Sequence, residues 1–180
     1  MTKKILAFAG FKGSGKSEST NLLIKQGYTD IKMAAPVKIM LAALWEYNGL
    51  NAEDIYRRLE GDLKEVSDEF LEGKTPRFAM QMLGTEWRNF FSERLWVEMW
   101  LKKVAASSTN VVCSDVRFPA EIDALKSLGG SLIWINRPGT GGDGHASEQN
   151  ISHLADMIIN NDHDINQLRS EVIRCTAILS

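Results

Sequence analysis

Apolar positions along this chain come in two patterns. Short unbroken runs occur at Ile5 to Ala9, Asn110 to Ser114, Ser131 to Ile135 and Met157 to Ile159. Each has strand length, and a strand buried on both faces carries such a run rather than an alternating one. Elsewhere the apolar residues recur at three- and four-residue spacing. This predicts helices over 18–25 with Leu22 and Leu23 inward, over 37–47, 51–59, 76–91, 95–106, 119–128 and 164–179. Asn51 suits an N-cap, Pro76 a first helical turn, and Gly129-Gly130 a stop. Tyr28 to Met33 predicts a further strand, and the charged stretch 61–74 predicts an exposed segment.

Strands that alternate with helices imply an α/β domain with a parallel sheet covered on both faces. In such sheets a ligand crevice lies at the carboxyl ends of the strands. The long helical stretch 37–106 interrupts the alternation. It predicts a helical insertion over a core built from 1–36 and 107–180.

The 180 residues suffice for a single domain with a sizeable core. A net charge of −2 offers no bulk attraction for nucleic acid, and none is expected as a partner. Cys113 and Cys175 lie far apart in sequence, and no CxxC pair occurs, as expected for a reducing cytoplasm. Lys3-Lys4 before an apolar run has the outline of a secretory leader, but Lys12 ends the run early and no cleavage site follows. No apolar stretch reaches membrane-spanning length, so no membrane partner is expected. Five tryptophans are more than a small core usually needs, which is compatible with a homodimer.

Residues 10–17 read Gly-Phe-Lys-Gly-Ser-Gly-Lys-Ser, a complete G-x-x-x-x-G-K-[ST] phosphate-binding loop between a strand and a helix. Glycines let backbone N–H groups close around phosphate oxygens, and the helix N-terminus adds a favourable dipole. Lys12, Gly13, Ser14, Gly15, Lys16, Ser17 and Glu18 are the expected nucleotide contacts. Lys16 would reach the β- and γ-phosphates, and the Ser17 hydroxyl would ligate Mg²⁺.

Asp115 follows an apolar run, at a strand's carboxyl end, where it would be a second metal group or a turn cap. Arg117 would bind phosphate bidentately or pair with Asp115 or Glu121. On the helix from Pro76, Arg77 and Gln81 share a face that Arg88 extends if the helix passes Gly84. Arg77 would hold a phosphate, Gln81 a base edge, and Trp87 would stack on a base; a solvated face with a core tryptophan is the alternative. Arg137 leaves a strand into a glycine-rich segment, 137–148, with Gly141, Gly142, His145, Ser147 and Glu148, which predicts an active-site lid. His145 has no metal-ligand companion at the usual spacing.

Five stretches together resemble the bacteriophage deoxynucleoside monophosphate kinases, within the P-loop nucleoside monophosphate kinase fold. They are Phe8 to Ser17, Met33 to Lys38, Thr75 to Arg88, Ser114 to Pro119 and Asp143 to Glu148. The resemblance implies a three-layer sandwich with five parallel strands, a helical monophosphate-binding region and a lid. It implies transfer of the γ-phosphoryl of ATP to a deoxynucleoside monophosphate, with Mg²⁺. It carries Lys16, Asp115, Arg117 and Arg137 as catalytic residues, with Arg137 also toward ATP. Ser17 and Asp115 are carried toward the metal, and Arg77, Gln81, Trp87, Arg88, Asp115 and Arg117 toward the acceptor. The chain departs from the pattern at Ala35, where an aspartate is expected before the proline. The alternatives are another small-molecule P-loop kinase, such as one acting on dephospho-coenzyme A, and a P-loop ATPase or GTPase switch. The Asn-Lys-x-Asp guanine motif of the last is absent from the sequence.

Overall fold

A computed structural model describes residues 3–141 and 150–179. The described chain forms two compact units, one of residues 1–33 with 100–180 and one of residues 34–99.

The first unit is a five-stranded, all-parallel sheet. Its strands are β1 (Ile5–Ala9), β2 (Thr29–Asp30), β3 (Val111–Cys113), β4 (Ser131–Asn136) and β5 (Met157–Asn160), in the order β2-β3-β1-β4-β5. β1 pairs on one side with β3, Ile5 opposite Val111, and on the other with β4, Leu6 opposite Ser131. Having no solvent edge, it is buried at all five positions, which explains its lack of polar residues. Leu6 and Phe8 point to one face. There they pack with Val112, Ile133, Ile135 and Ile159 against Leu23 of α1 (Lys16–Lys25) and Leu168, Val172 and Cys175 of the C-terminal helix, Ile165–Ile178. Each such side chain contributes about 1.5–3 kcal/mol when fully buried. The opposite face is covered by the helix Pro119–Ser127, which buries Ile122, Ala124 and Leu125.

Two local expectations are corrected. The second strand is only two residues long, not Tyr28 to Met33. Its ladder to β3 ends after the Ile31 N–H bonds to the Val112 carbonyl, and the Met33 N–H goes to a side chain instead. On the first helix Leu23 is fully buried, whereas Leu22 packs only at the rim of the cluster.

The second unit contains α2 (Ala35–Tyr47), α3 (Ala52–Leu59) and α4 (Pro76–Phe91), and α5 (Leu95–Ala106) begins in it. Asn51 caps α3 through the Asp54 N–H, and Thr75 caps α4 through the Phe78 N–H. The expectation that 61–74 is simply exposed fails at Asp68. The segment holds two 3₁₀ turns, Asp62–Glu65 and Glu69–Leu71, and the Asp68 side chain is only 2% exposed. Its carboxylate accepts from Arg58 Nε at 2.6 Å and from the Phe70 N–H at 2.8 Å. Its backbone N–H donates to the Lys74 carbonyl and its carbonyl accepts from the Gly73 N–H, closing the segment on itself. Charge alone does not reveal this, because one buried aspartate among many exposed acids has no distinguishing pattern.

Removing one partner of a buried ion pair leaves the other charge desolvated and unpaired. Asp68→Asn should therefore lower the unfolding free energy by about 2 kcal/mol. Urea denaturation with an unchanged slope and a lower midpoint is the expected result; an unchanged midpoint would mean that the pair adds no net stability.

Candidate active site

All five strands run the same way, so the residues that follow them gather at one edge of the sheet. After β1 the chain turns through Gly10 at φ 145°, where a Cβ would lie 2.5 Å from the Ile135 carbonyl oxygen. Gly15, at φ 112°, precedes α1; a Cβ there would meet Asn161 Nδ2 at 2.8 Å and Leu168 Cδ2 at 2.9 Å. Only glycine fits either position.

The carbonyls of this loop are held by donors. Lys16 Nζ donates to the Gly10 and Phe11 carbonyls, at 2.8 Å each. Asn161 Nδ2 donates to the Ser14 carbonyl at 2.8 Å, and Arg137 Nη1 to the Gly13 carbonyl at 3.1 Å. The Ser14 N–H closes a turn onto the Phe11 carbonyl, and the ring of Phe11 stands edge-on to Trp134 at 5.4 Å. Lys16, Ser17 and Glu18 form the first turn of α1, where N–H groups have no carbonyl one turn back. An anion binds such a terminus through those N–H groups and the helix dipole. The Ser14 hydroxyl is buried and has no hydrogen-bond partner among the described residues.

Of the expected nucleotide contacts, Lys12, Gly13 and Ser17 are exposed, and Gly15 and Lys16 half-buried. Glu18 is engaged elsewhere: its Oε1 accepts from Arg169 Nε at 2.7 Å, tying α1 to the C-terminal helix. Asp115 stands just past β3. Its Oδ1 accepts from the Met33 N–H at 2.9 Å and from the Cys113 thiol at 3.1 Å. Burial, and then the Asp115 charge, pushes the Cys113 thiol well above its ordinary pKa. The Arg117 and Phe118 N–H groups both donate to Glu121 Oε2, at 2.6 and 3.1 Å, which fixes the turn on which Arg117 sits.

Magnesium takes hard oxygen donors in an octahedral shell and keeps several waters and phosphate oxygens. The exposed Ser17 hydroxyl and the Asp115 carboxylate, both in the sheet unit, are donors of that kind. The residues fit the ion as a companion of bound phosphates.

The remaining expected site residues lie in the helical unit. The helix α4 does pass Gly84, so Arg77, Gln81 and Arg88 fall within roughly 40° of arc, and all three are half-buried. Trp87 lies off that face. It stacks on Trp96 at 6.4 Å and meets Phe91 edge-on at 5.6 Å, yet keeps 40% of its surface exposed. Arg77 Nε pairs with Glu65. Gly141 is exposed, while Gly142, His145, Ser147 and Glu148 of the expected lid lie outside the described residues.

Sequence reading missed Asn161. It is buried just past β5, its N–H donates to the Asn136 carbonyl at 2.7 Å, and its amide holds the loop. The signal available was a polar Asn160-Asn161-Asp162 run directly after the last strand, at the edge where chemistry collects. Asn161→Ala should weaken binding of a phosphate anion at the loop roughly fivefold to tenfold, the equivalent of about one hydrogen bond. Calorimetric titration checks this; unchanged affinity would make the clamp irrelevant to the loop's bound shape.

A sequence profile of the deoxynucleotide monophosphate kinase family matches residues 61–172. A candidate deoxynucleotide monophosphate kinase of Acanthamoeba polyphaga mimivirus is 34% identical, over 95% of this chain and 95% of that protein. The deoxynucleotide monophosphate kinase of Enterobacteria phage T4 is 23% identical, over 94% of this chain and 75% of that protein. Among solved structures, the shikimate kinase of Aquifex aeolicus aligns over 96% of both chains with a TM-score of 0.51 at 13% identity, a likeness of fold. With a family profile matching more than half of the chain and a near full-length relative at 34% identity, the chain belongs to the deoxynucleotide monophosphate kinase family.

Proposed function

We propose that this protein transfers the γ-phosphoryl group of ATP to a deoxynucleoside monophosphate, giving ADP and the deoxynucleoside diphosphate. The observation that carries the reading is the phosphate loop, with Lys16 at its mouth and its carbonyls held by Asn161 and Arg137. Family membership supports the acceptor class. An acceptor phosphate oxygen attacks the γ-phosphorus in line, the bond to the β–γ bridging oxygen breaks, and its electron pair leaves with ADP. That oxygen is already anionic, so no strong general base is needed.

The residues then divide the work. Amides of the first turn of α1 bind phosphate oxygens, and Lys16 leaves its carbonyl partners to meet charge on the β- and γ-phosphates. Bound Mg²⁺ would neutralise phosphate charge, held by Ser17 and assisted by Asp115. Arg117 and Arg137, on the carboxyl edge of the sheet, supply further positive charge. On α4, Arg77 and Arg88 bind the acceptor phosphate and Gln81 a base edge, while Trp87 offers a ring to a base. In this reading the helical unit is the acceptor-binding part of the enzyme, acting in the cytoplasm on small molecules alone. No described helix is long and apolar enough to cross a membrane.

The test is ADP formation with a panel of ribo- and deoxyribonucleoside monophosphates and with dephospho-coenzyme A. Turnover that requires a deoxynucleoside monophosphate supports the reading; turnover without any acceptor, or only with dephospho-coenzyme A, sinks it. Lys16→Ala should stay folded and raise the barrier by about 3 kcal/mol or more, through loss of one preorganised charge. Arg77→Ala should raise the acceptor KM far more than the ATP KM, and Arg77→Lys should restore it only in part, because a point charge does not replace a planar fork. Equal effects on both substrates would give Arg77 a structural role instead.

A further inference from the structure

The 3₁₀ turn Asp62–Glu65 carries a lysine to which neither the loop motif nor the family resemblance gives a role. Lys64 is half-buried, and among the described residues its side chain makes no hydrogen bond and no ion pair. Four charged groups face it: Lys38 from α2, Glu60 from the end of α3, Arg77 from α4, and Glu65 from its own turn. Lys38 pairs with Glu60 and Arg77 with Glu65. Three cations therefore stand against two carboxylates, and Lys64 is the one left over. An uncompensated ammonium taken partly out of water is costly to the folded state. Burial first, and then the field of Lys38, with Arg77 adding to it and Glu60 and Glu65 opposing, lowers its pKa to about 8.

The two carboxylates are more exposed than the cations they meet. Side-chain exposure is 34% for Glu60 against 20% for Lys38, and 52% for Glu65 against 26% for Arg77. Such exposed pairs contribute little, so exchanging a carboxylate for a stronger anion costs little. A phosphate dianion can accept from an arginine fork and from two ammonium groups at once.

We propose that Lys64, with Arg77 and Lys38, seats the phosphate of the acceptor monophosphate, the dianion displacing Glu65 and Glu60 from their cations. This rests on the acceptor reading above and adds two residues to it, Lys38 and the unpaired Lys64. Lys64 thereby gains the counter-charge it lacks in the free protein.

Titration is the discriminating property. A phosphate monoester is a dianion above about pH 7, so a change above that range belongs to the protein. Below about pH 8 Lys64 is charged in the free protein; above it, binding must also take up a proton. Acceptor affinity should therefore fall by up to roughly tenfold per pH unit above that point, and ATP affinity should not follow it.

The experiment measures KM for the best deoxynucleoside monophosphate and for ATP between pH 7 and about 9.5, in wild type, Lys64→Gln and Lys64→Arg. Lys64→Gln should raise the acceptor KM at pH 7 by roughly tenfold or more, and flatten its pH dependence. Lys64→Arg should keep a low acceptor KM and flatten the profile too, since a guanidinium stays charged throughout. A Lys64→Gln KM within about twofold of wild type, or an equal rise in the ATP KM, overturns the proposal. If Lys64→Gln does not fold, a Lys64→Arg profile that still falls like wild type overturns it. A wild-type protein that turns over no deoxynucleoside monophosphate sinks the underlying acceptor reading instead.

Discussion

The sheet unit depends on β1 being hydrogen-bonded on both sides. A strand in that position offers no polar group to solvent along its length, so Ile5 to Ala9 are all buried. Chemistry is displaced to where the strands end. Since β3, β4 and β5 run parallel to β1's direction, Asp115, Arg137 and Asn161 leave the sheet at the same edge as the loop. Two of these residues hold loop carbonyls, and the third holds the backbone beyond β2. The loop's shape is thus imposed from neighbouring strands as well as by its own glycines.

Much of this was legible in the order of residues. The continuous apolar runs marked four of the five strands, because full burial leaves no other pattern. The loop was legible because its glycines and lysine are required at fixed offsets. Asn161 was not, because one buried amide looks like any polar residue in a turn until the carbonyl it meets is known. Glu18 shows the same limit: its place in the motif suggested a nucleotide contact, and nothing in the motif indicates that its carboxylate pairs with Arg169, far away in sequence. The brevity of β2 was hidden for a similar reason. Its sequence is apolar enough for a longer strand, but the Met33 N–H has a carboxylate partner in Asp115 that ends the ladder.

The helical unit was legible as helices and illegible as electrostatics. Cap residues and spacing placed α3 and α4 closely, since both signals act within one turn. Ion pairs such as Arg58–Asp68 and Arg77–Glu65 join residues ten or more positions apart, and composition does not specify which of several acids each arginine chooses. The consequence is a unit whose arginines are already ordered by carboxylate partners. Ordering long side chains beforehand reduces the entropy an anion must overcome on binding.

The contact between Phe11 and Trp134 bears on how this protein can be observed. Trp134 lies on β4, buried beneath the phosphate loop, with the Phe11 ring edge-on to its indole. The Trp87 and Trp96 pair lies wholly within the helical unit. Each unit therefore carries its own native fluorophore at the place where its shape matters. The part of the emission that Trp134→Phe removes, with the other four tryptophans kept, would report rearrangement of the loop without any label attached to the protein.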